Sequence, residues 1–123
     1  MVRKDILDAH VQSEVVIKGL QEKKGQEIVR MDLKGLESAI TDYFVICTAT
    51  SDKHAQALAD SVREFMKDKT KSRPVSVEGY LRGEWILLDF VDVIVHIFLQ
   101  DKREFYRIEA LWGDAGFEKI ADK

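Results

Sequence analysis

Two aspartates and a histidine, Asp89, Asp92 and His96, are the residues whose types and spacing could support catalysis in this 123-residue chain. An enzyme that transfers phosphoryl or nucleotidyl groups needs clustered carboxylates for magnesium ions and a glycine-rich turn for phosphate. The sequence has no Gly-Ser turn followed by Asp-x-Asp, no Gly-x-x-x-x-Gly-Lys loop and no Gly-x-Ser-x-Gly elbow. Asp89 and Asp92 lie three residues apart across a turn and are a weak substitute. We therefore expect no enzymatic activity, metal or cofactor.

The same segment can instead be interpreted as a protein-binding surface. Trp85 begins an apolar stretch, either as a core side chain or as an exposed anchor, because tryptophan is enriched at binding hot spots. Asp89 and Asp92 are either turn residues or acceptors of charge-assisted hydrogen bonds from lysine or arginine on a partner. Asp92 and His96 are four residues apart, so on a regular strand they face the same way. A single histidine in a strand is typical of a hydrogen-bonded core or interface residue.

The composition argues against strong, direct binding of nucleic acid. The net charge is −3 and the pI about 5.6, whereas a protein that grips phosphate usually has a basic excess. A basic protein partner is compatible with this charge. The single cysteine, Cys47, excludes an intramolecular disulfide and a zinc cluster of cysteines, and its apolar neighbours predict a core residue. With no signal peptide and no apolar stretch long enough to span a membrane, we expect a cytoplasmic protein.

The first half of the chain predicts two helices and two strands that would support these residues. Residues 5–24 have helical apolar spacing, and Gly25 is a good left-handed stop after them. Residues 28–33 alternate as in a half-buried strand, and residues 41–48 are apolar on both faces, as in a central strand. Ser51 can cap the next helix, which has the clearest amphipathic spacing in the chain.

The second half predicts three more strands and a closing helix. Residues 75–77 form a short strand, and residues 84–90 and 92–98 form most simply a hairpin. Residues 101–112 read as a helix. Its apolar side would carry Phe105, Ile108, Leu111 and Trp112. The order α-β-β-α-β-β-β-α predicts a single α+β domain over residues 1–123, with a mixed β-sheet packed by helices.

Five segments form a recognisable series of motifs. They are TDYFVICTATS (41–51), VEG (77–79), WILLDF (85–90), DVIVHIF (92–98) and FYRIEALWGDA (105–115). In this order they resemble the ribosomal silencing factor family, also called Iojap or RsfS, over about residues 15–115. One position departs from the family pattern, because Val91 stands where the family usually has a glycine before the aspartate of its turn. The departure leaves open whether the backbone at this turn has the conformation that favours glycine, and it does not affect the interpretation as a binding protein.

The resemblance implies a fold related in topology to nucleotidyltransferases but without their catalytic site. It also implies binding to the large ribosomal subunit through ribosomal protein L-fourteen, which would sterically block joining of the small subunit and repress translation when nutrients are short. Family members often form homodimers. The resemblance favours Trp85 as the partner-binding anchor, flanked by Glu78, Asp89, Asp92 and His96. The alternatives are a divergent nucleotidyltransferase-like enzyme and a module that binds another protein or an RNA.

Overall fold

A computed structural model describes residues 8–121, in which six strands form one mixed sheet. The elements in chain order are α1 (Ala9–Glu22), β1 (Gln26–Asp32), β2 (Tyr43–Ala49), α2 (Asp52–Thr70), β3 (Ser76–Glu78), β4 (Trp85–Asp89), β5 (Val93–Leu99), α3 (Gln100–Tyr106), α4 (Ile108–Leu111) and β6 (Gly116–Lys119). The strand order is β3-β4-β5-β2-β1-β6. The β2–β5 pair is parallel and the other pairs are antiparallel. This arrangement confirms the predicted α+β class and the β4–β5 hairpin.

Helices α1 and α2 cover one face of the sheet, because each carries an apolar stripe. Asp8 caps α1 by accepting a hydrogen bond from the Val11 amide at 2.9 Å; residues 5–7, predicted as helix, lie outside the described residues. As predicted, Ser51 caps α2, accepting from the His54 amide at 3.0 Å. Each fully buried apolar side chain on such a stripe stabilises the fold by roughly 1.5–3 kcal/mol. None of the helices in residues 8–121 has the length and apolar character needed to cross a bilayer.

The C-terminal end of α1 differs from the prediction in one residue. Lys24, and not Gly25, takes the left-handed conformation, with φ of 62°. The amides of Lys24 and Gly25 donate to the carbonyl oxygens of Gln21 and Leu20 at 3.0 and 2.8 Å, which ends the helix. A Cβ atom at position 25 would lie 2.5 Å from Sγ of Cys47. Glycine is therefore required at this position for lack of space.

The central strands β2 and β5 are buried on both faces. This burial was predicted for β2 from its apolar run, whereas residues 92–98 were predicted only as a strand of the hairpin. On β2, Val45 and Cys47 face α1 and α2, whereas Phe44 and Ile46 belong to a second apolar cluster on the other face. The loop after β1 and the segment around α4 cover part of this second face. The surface over β3 and β4 on the same side keeps partly exposed side chains.

The prediction of one closing helix over residues 101–112, after β5, is wrong. Instead of one helix, α3 and α4 meet at Arg107, whose φ is 46°, and β6 then pairs with β1. A left-handed residue ends the hydrogen-bond ladder of α3, so later side chains no longer continue its stripe. Phe105 and Leu111, predicted on the apolar side, are 76% and 73% exposed, and Ile108 is buried.

Candidate functional site

Trp85 lies half-buried on the sheet face opposite α1 and α2. It begins β4 and pairs with Phe98 of β5 in the strand register. Its indole stacks on the Phe98 ring, with centroids 4.8 Å apart, and contacts the Tyr106 ring at 4.6 Å. Trp85 is therefore neither a fully buried core residue nor a free surface side chain. Its neighbours fix the ring while part of it remains exposed to solvent.

His96 lies beneath Trp85 and not on the surface, since it is only 4% exposed. The indole nitrogen of Trp85 donates a hydrogen bond of 3.1 Å to Nδ1 of His96. Indole can only donate, so Nδ1 is the acceptor and the proton of the neutral ring is on Nε2. Nε2 has no hydrogen-bond partner among residues 8–121. Burial lowers the pKa of His96 from 6.5 to about 4, which keeps the ring neutral near pH 7.

Glu78 and Asp89 lie on the same sheet face as Trp85. Trp85, Leu87 and Asp89 alternate along β4 and share one face. Because β3 pairs antiparallel with β4, Glu78 is opposite Leu87, and Ser76 is opposite Asp89. The structure thus brings together Trp85, Glu78 and Asp89, three of the predicted residues, around the half-buried side chain of Leu87.

The carboxylates of Glu78 and Asp89 are free of cationic partners in the part of the chain that the structure describes. Asp89 accepts a hydrogen bond from the Val91 amide at 2.8 Å, and Glu78 accepts from the Ser76 hydroxyl at 3.4 Å. Glu78 is exposed. The surface therefore offers a partly apolar centre with two acidic groups, which suits a basic protein partner.

Asp92 does not share a face with His96, contrary to the expectation from their spacing. Its carboxylate accepts a hydrogen bond from the Gln12 side chain of α1 at 3.3 Å, on the side covered by helices. Its carbonyl oxygen accepts from the amides of Asp42 and Tyr43 at 3.2 and 3.1 Å. Residue 92 lies in the turn before β5, so the alternation of a strand does not apply to it. Asp92 joins the turn to α1 and to the start of β2.

Val91, in the same turn, has a left-handed backbone with φ of 77°. The sequence left open whether this position has a glycine-favouring backbone, and the structure shows that it does. The turn keeps the conformation that glycine favours, although a β-branched residue occupies it.

Two residues around Trp85 were not selected from the sequence. Tyr106 is 45% exposed and contacts the indole, but sequence spacing gives no link between positions 106 and 85. Gly79 has φ of 77°, and a Cβ atom there would lie 2.0 Å from the carbonyl oxygen of Trp85. Only glycine fits this turn, which places the start of β4. In the sequence, the Glu78-Gly79 pair at the end of a predicted strand could have indicated this turn.

The groups that this surface offers are an indole, a half-buried leucine side chain and two carboxylates. Among residues 8–121, no group of three or more histidine, cysteine, aspartate or glutamate side chains could hold a metal ion. His96 is the buried titratable group at the centre, and its accepting nitrogen is already occupied by the indole.

Comparisons with known proteins identify relatives of this chain. A family model described as "Ribosomal silencing factor during starvation" matches residues 7–123. The chain is 38% identical over 94 residues to "Ribosomal silencing factor RsfS" of Bacillus subtilis, covering 76% of this chain and 78% of that protein. A crystal structure of a Chromobacterium violaceum protein is similar, with a TM-score of 0.81 at 36% identity, covering 86% and 87% of the two chains. "Mitochondrial assembly of ribosomal large subunit protein 1" of Mus musculus is 29% identical over 93% of this chain and 50% of its own length.

Proposed function

This chain belongs to the ribosomal silencing factor family, and from that premise we propose that it binds the large ribosomal subunit and prevents the small subunit from joining. The partner in this proposal is ribosomal protein L-fourteen, on the surface that faces the small subunit. Translation would then be repressed, in the cytoplasm and when nutrients are limiting. A relationship of the fold to nucleotidyltransferases stays a prediction.

The observation that carries this proposal is the surface formed by Trp85, Leu87, Glu78 and Asp89. A half-buried tryptophan supplies a large, ordered contact area of the kind found at binding hot spots. The two carboxylates, which have no cationic partner among residues 8–121, complement lysine and arginine on a ribosomal protein. Ribosomal proteins are commonly basic because they contact RNA phosphates, so the acidic charge of the chain suits the protein and not the RNA.

Silencing by this mechanism needs occupancy alone. A factor seated on the joining surface excludes the small subunit by its volume, so no reaction and no change in the ribosome is required. The fraction of blocked large subunits then follows the free concentration of the factor relative to its Kd. The names of the bacterial relatives describe them as ribosomal silencing factors, and none of the relatives reported above is named as an enzyme.

Separated ribosomal subunits provide the direct test. The protein should sediment with purified large subunits and not with small ones, and it should reduce the peak of joined ribosomes on a gradient. Ribosomes that are joined beforehand should be more resistant, because the binding surface is then covered. Unchanged joining at a saturating concentration of the protein would show that the proposed mechanism is wrong.

Homodimer formation is part of the proposal through the family resemblance. Light scattering over a range of protein concentrations would measure it. If the measured mass equals that of one chain at every concentration, the homodimer is refuted. The proposal that the protein binds the large subunit does not depend on it.

A further inference from the structure

We propose that His96 is a positioning residue, which holds the Trp85 indole in the orientation that the partner recognises. The inference rests on the proposed function and adds to it a residue that does not itself touch the partner. Its basis is the hydrogen bond of 3.1 Å from the indole nitrogen to Nδ1 of His96, together with the burial of His96. A half-exposed tryptophan is thereby fixed from inside the protein.

The surroundings of His96 make this hydrogen bond possible in one protonation state alone. The ring packs edge-on against Phe44, with centroids 4.7 Å apart, and parallel to Phe98 at 6.0 Å. Its neighbours in the strand register are Ile46 on β2 and Leu87 on β4. These groups are apolar, and burial is the cause of the lowered pKa. A protonated ring would set a second N–H against the indole N–H, so the neutral ring is the one that holds Trp85.

The hydrogen bond also limits what Trp85 can offer. Because its N–H points inward to His96, the indole has no donor left for a partner and presents carbon edges and part of its ring surface. The contacting group on the partner is therefore apolar, or the aliphatic stem of a lysine or arginine whose charge reaches Glu78 or Asp89. A partner carboxylate or carbonyl oxygen aimed at the indole would find no donor there.

The energetic role of His96 is pre-organisation. Without it, the indole would sample other side-chain angles and would have to be ordered at the moment of binding, which weakens affinity. One hydrogen bond of this kind is worth about tenfold in an equilibrium constant. Because most effects of substitutions at an interface appear in the dissociation rate, we expect the loss of affinity mainly there.

Two substitutions separate positioning from packing. His96→Phe keeps a ring of similar size but has no acceptor, and His96→Asn places its side-chain oxygen near the position of Nδ1. In a Trp112→Phe background, which leaves Trp85 as the one tryptophan, the ¹⁵N-indole NMR signal reports the hydrogen bond directly. His96→Phe should shift this signal and speed its exchange with water, and His96→Asn should largely restore both. Lowering the pH of the wild type towards 4 should produce the same change as His96→Phe.

Binding to purified large subunits completes the test. We expect His96→Phe to dissociate about tenfold faster than the wild type and His96→Asn to recover most of the difference, at equal helical content. An altered indole signal with unchanged dissociation would overturn the inference and leave the proposed function intact. If the wild type itself does not bind large subunits, the proposed function fails, and an unshifted indole signal in His96→Phe would separately refute the positioning role. If His96→Phe does not fold, the pH dependence of the wild-type indole signal and the binding of His96→Asn to large subunits still test the positioning role.

Discussion

The hydroxyl of Thr41 donates a hydrogen bond of 2.8 Å to the carbonyl oxygen of Val91, the residue held at φ of 77° between β4 and β5. The amide of Val91 donates to the Asp89 carboxylate at 2.8 Å. Side chains from two different segments therefore hold both polar groups of one strained residue. This turn also sets the register of β4 against β5, and with it the pairing of Leu87 and His96.

Replacing Val91 with asparagine should stabilise the protein. A β-branched residue in the left-handed region carries strain of about 1–3 kcal/mol, and asparagine tolerates this conformation far better. Val91 is 57% exposed, so little packing is lost. We expect a gain of about 1 kcal/mol, or a few degrees in Tm by thermal unfolding. The control is Val75→Asn, at a site 68% exposed without a positive φ, which should not raise Tm; an equal rise there would remove the explanation by strain.

Arg30 should control the attachment of β6. Its side chain pairs with Glu14 of α1 and, at 2.7 Å, with Glu118 of β6, and the four residues of β6 are exposed, so burial contributes little there. Arg30→Met should speed hydrogen exchange of the Ile120 amide, which donates to β1, by about tenfold, since each charge-assisted hydrogen bond is worth roughly 1.5–3 kcal/mol. Exchange in β5 should change far less.

A surface ion pair provides the matched control for that experiment. Arg82 pairs with Glu84 at 3.5 Å but is 81% exposed, and such pairs contribute about 0–1 kcal/mol. Arg82→Met should leave exchange in β6 unchanged. If Arg30→Met also leaves it unchanged, the backbone pairing with β1 is sufficient to hold the strand.

Acid should destabilise the protein through His96. Its pKa is about 4 in the fold and 6.5 when unperturbed, so between these values the unfolded chain binds more protons. The contribution of the neutral ring is complete above pH 6.5 and is lost as the pH falls towards 4. The gap corresponds to roughly 3 kcal/mol. Urea unfolding at pH 7 and pH 4 should show a larger loss in the wild type than in His96→Phe, and equal losses would contradict this account.

Reversing the charge of Glu78 should slow association with the large subunit. Glu78 is exposed beside Leu87 on the proposed binding surface, so Glu78→Lys should lower the association rate severalfold at low salt, with a smaller effect as salt screens the charges. Glu64→Lys is the control, because Glu64 is exposed on α2, the helix that covers the opposite face. Both variants should keep normal stability. Equal slowing by both would indicate a response to net charge and not to this surface.

Much of the fold could be predicted because its signals are local. The apolar positions of α2 recur with helical spacing, Ser51 precedes them as a cap, and the run in β2 is apolar on both faces. Patterns of this kind depend on neighbours within a few residues, and burial then selects the element that they favour. The series of motifs over residues 15–115 identified the family because a motif is recognised from residue order alone, without knowledge of the fold.

The C-terminal segment shows where local signals fail. Residues 101–112 have acceptable helical spacing, but Arg107 adopts a left-handed conformation. The residue type gives no sign of this, because left-handed backbone is expected mainly at glycine. The chain then turns back so that β6 can pair with β1 and Glu118 can reach Arg30. The free energy of these distant contacts outweighs the weak preference for one continuous helix.

The sequence by itself determined the family and the α+β class, because residue order and local patterns carry that information. The family resemblance also grouped Trp85 with Glu78, Asp89, Asp92 and His96. Only the tertiary structure decided that Asp92 turns to Gln12 of α1 and that His96 lies under Trp85. Positions 85 and 96 meet through the register of two antiparallel strands, and a shift of one residue would send each side chain to the other face. That register depends on the strained turn at Val91, which connects the two strands and whose conformation the rest of the packed molecule imposes.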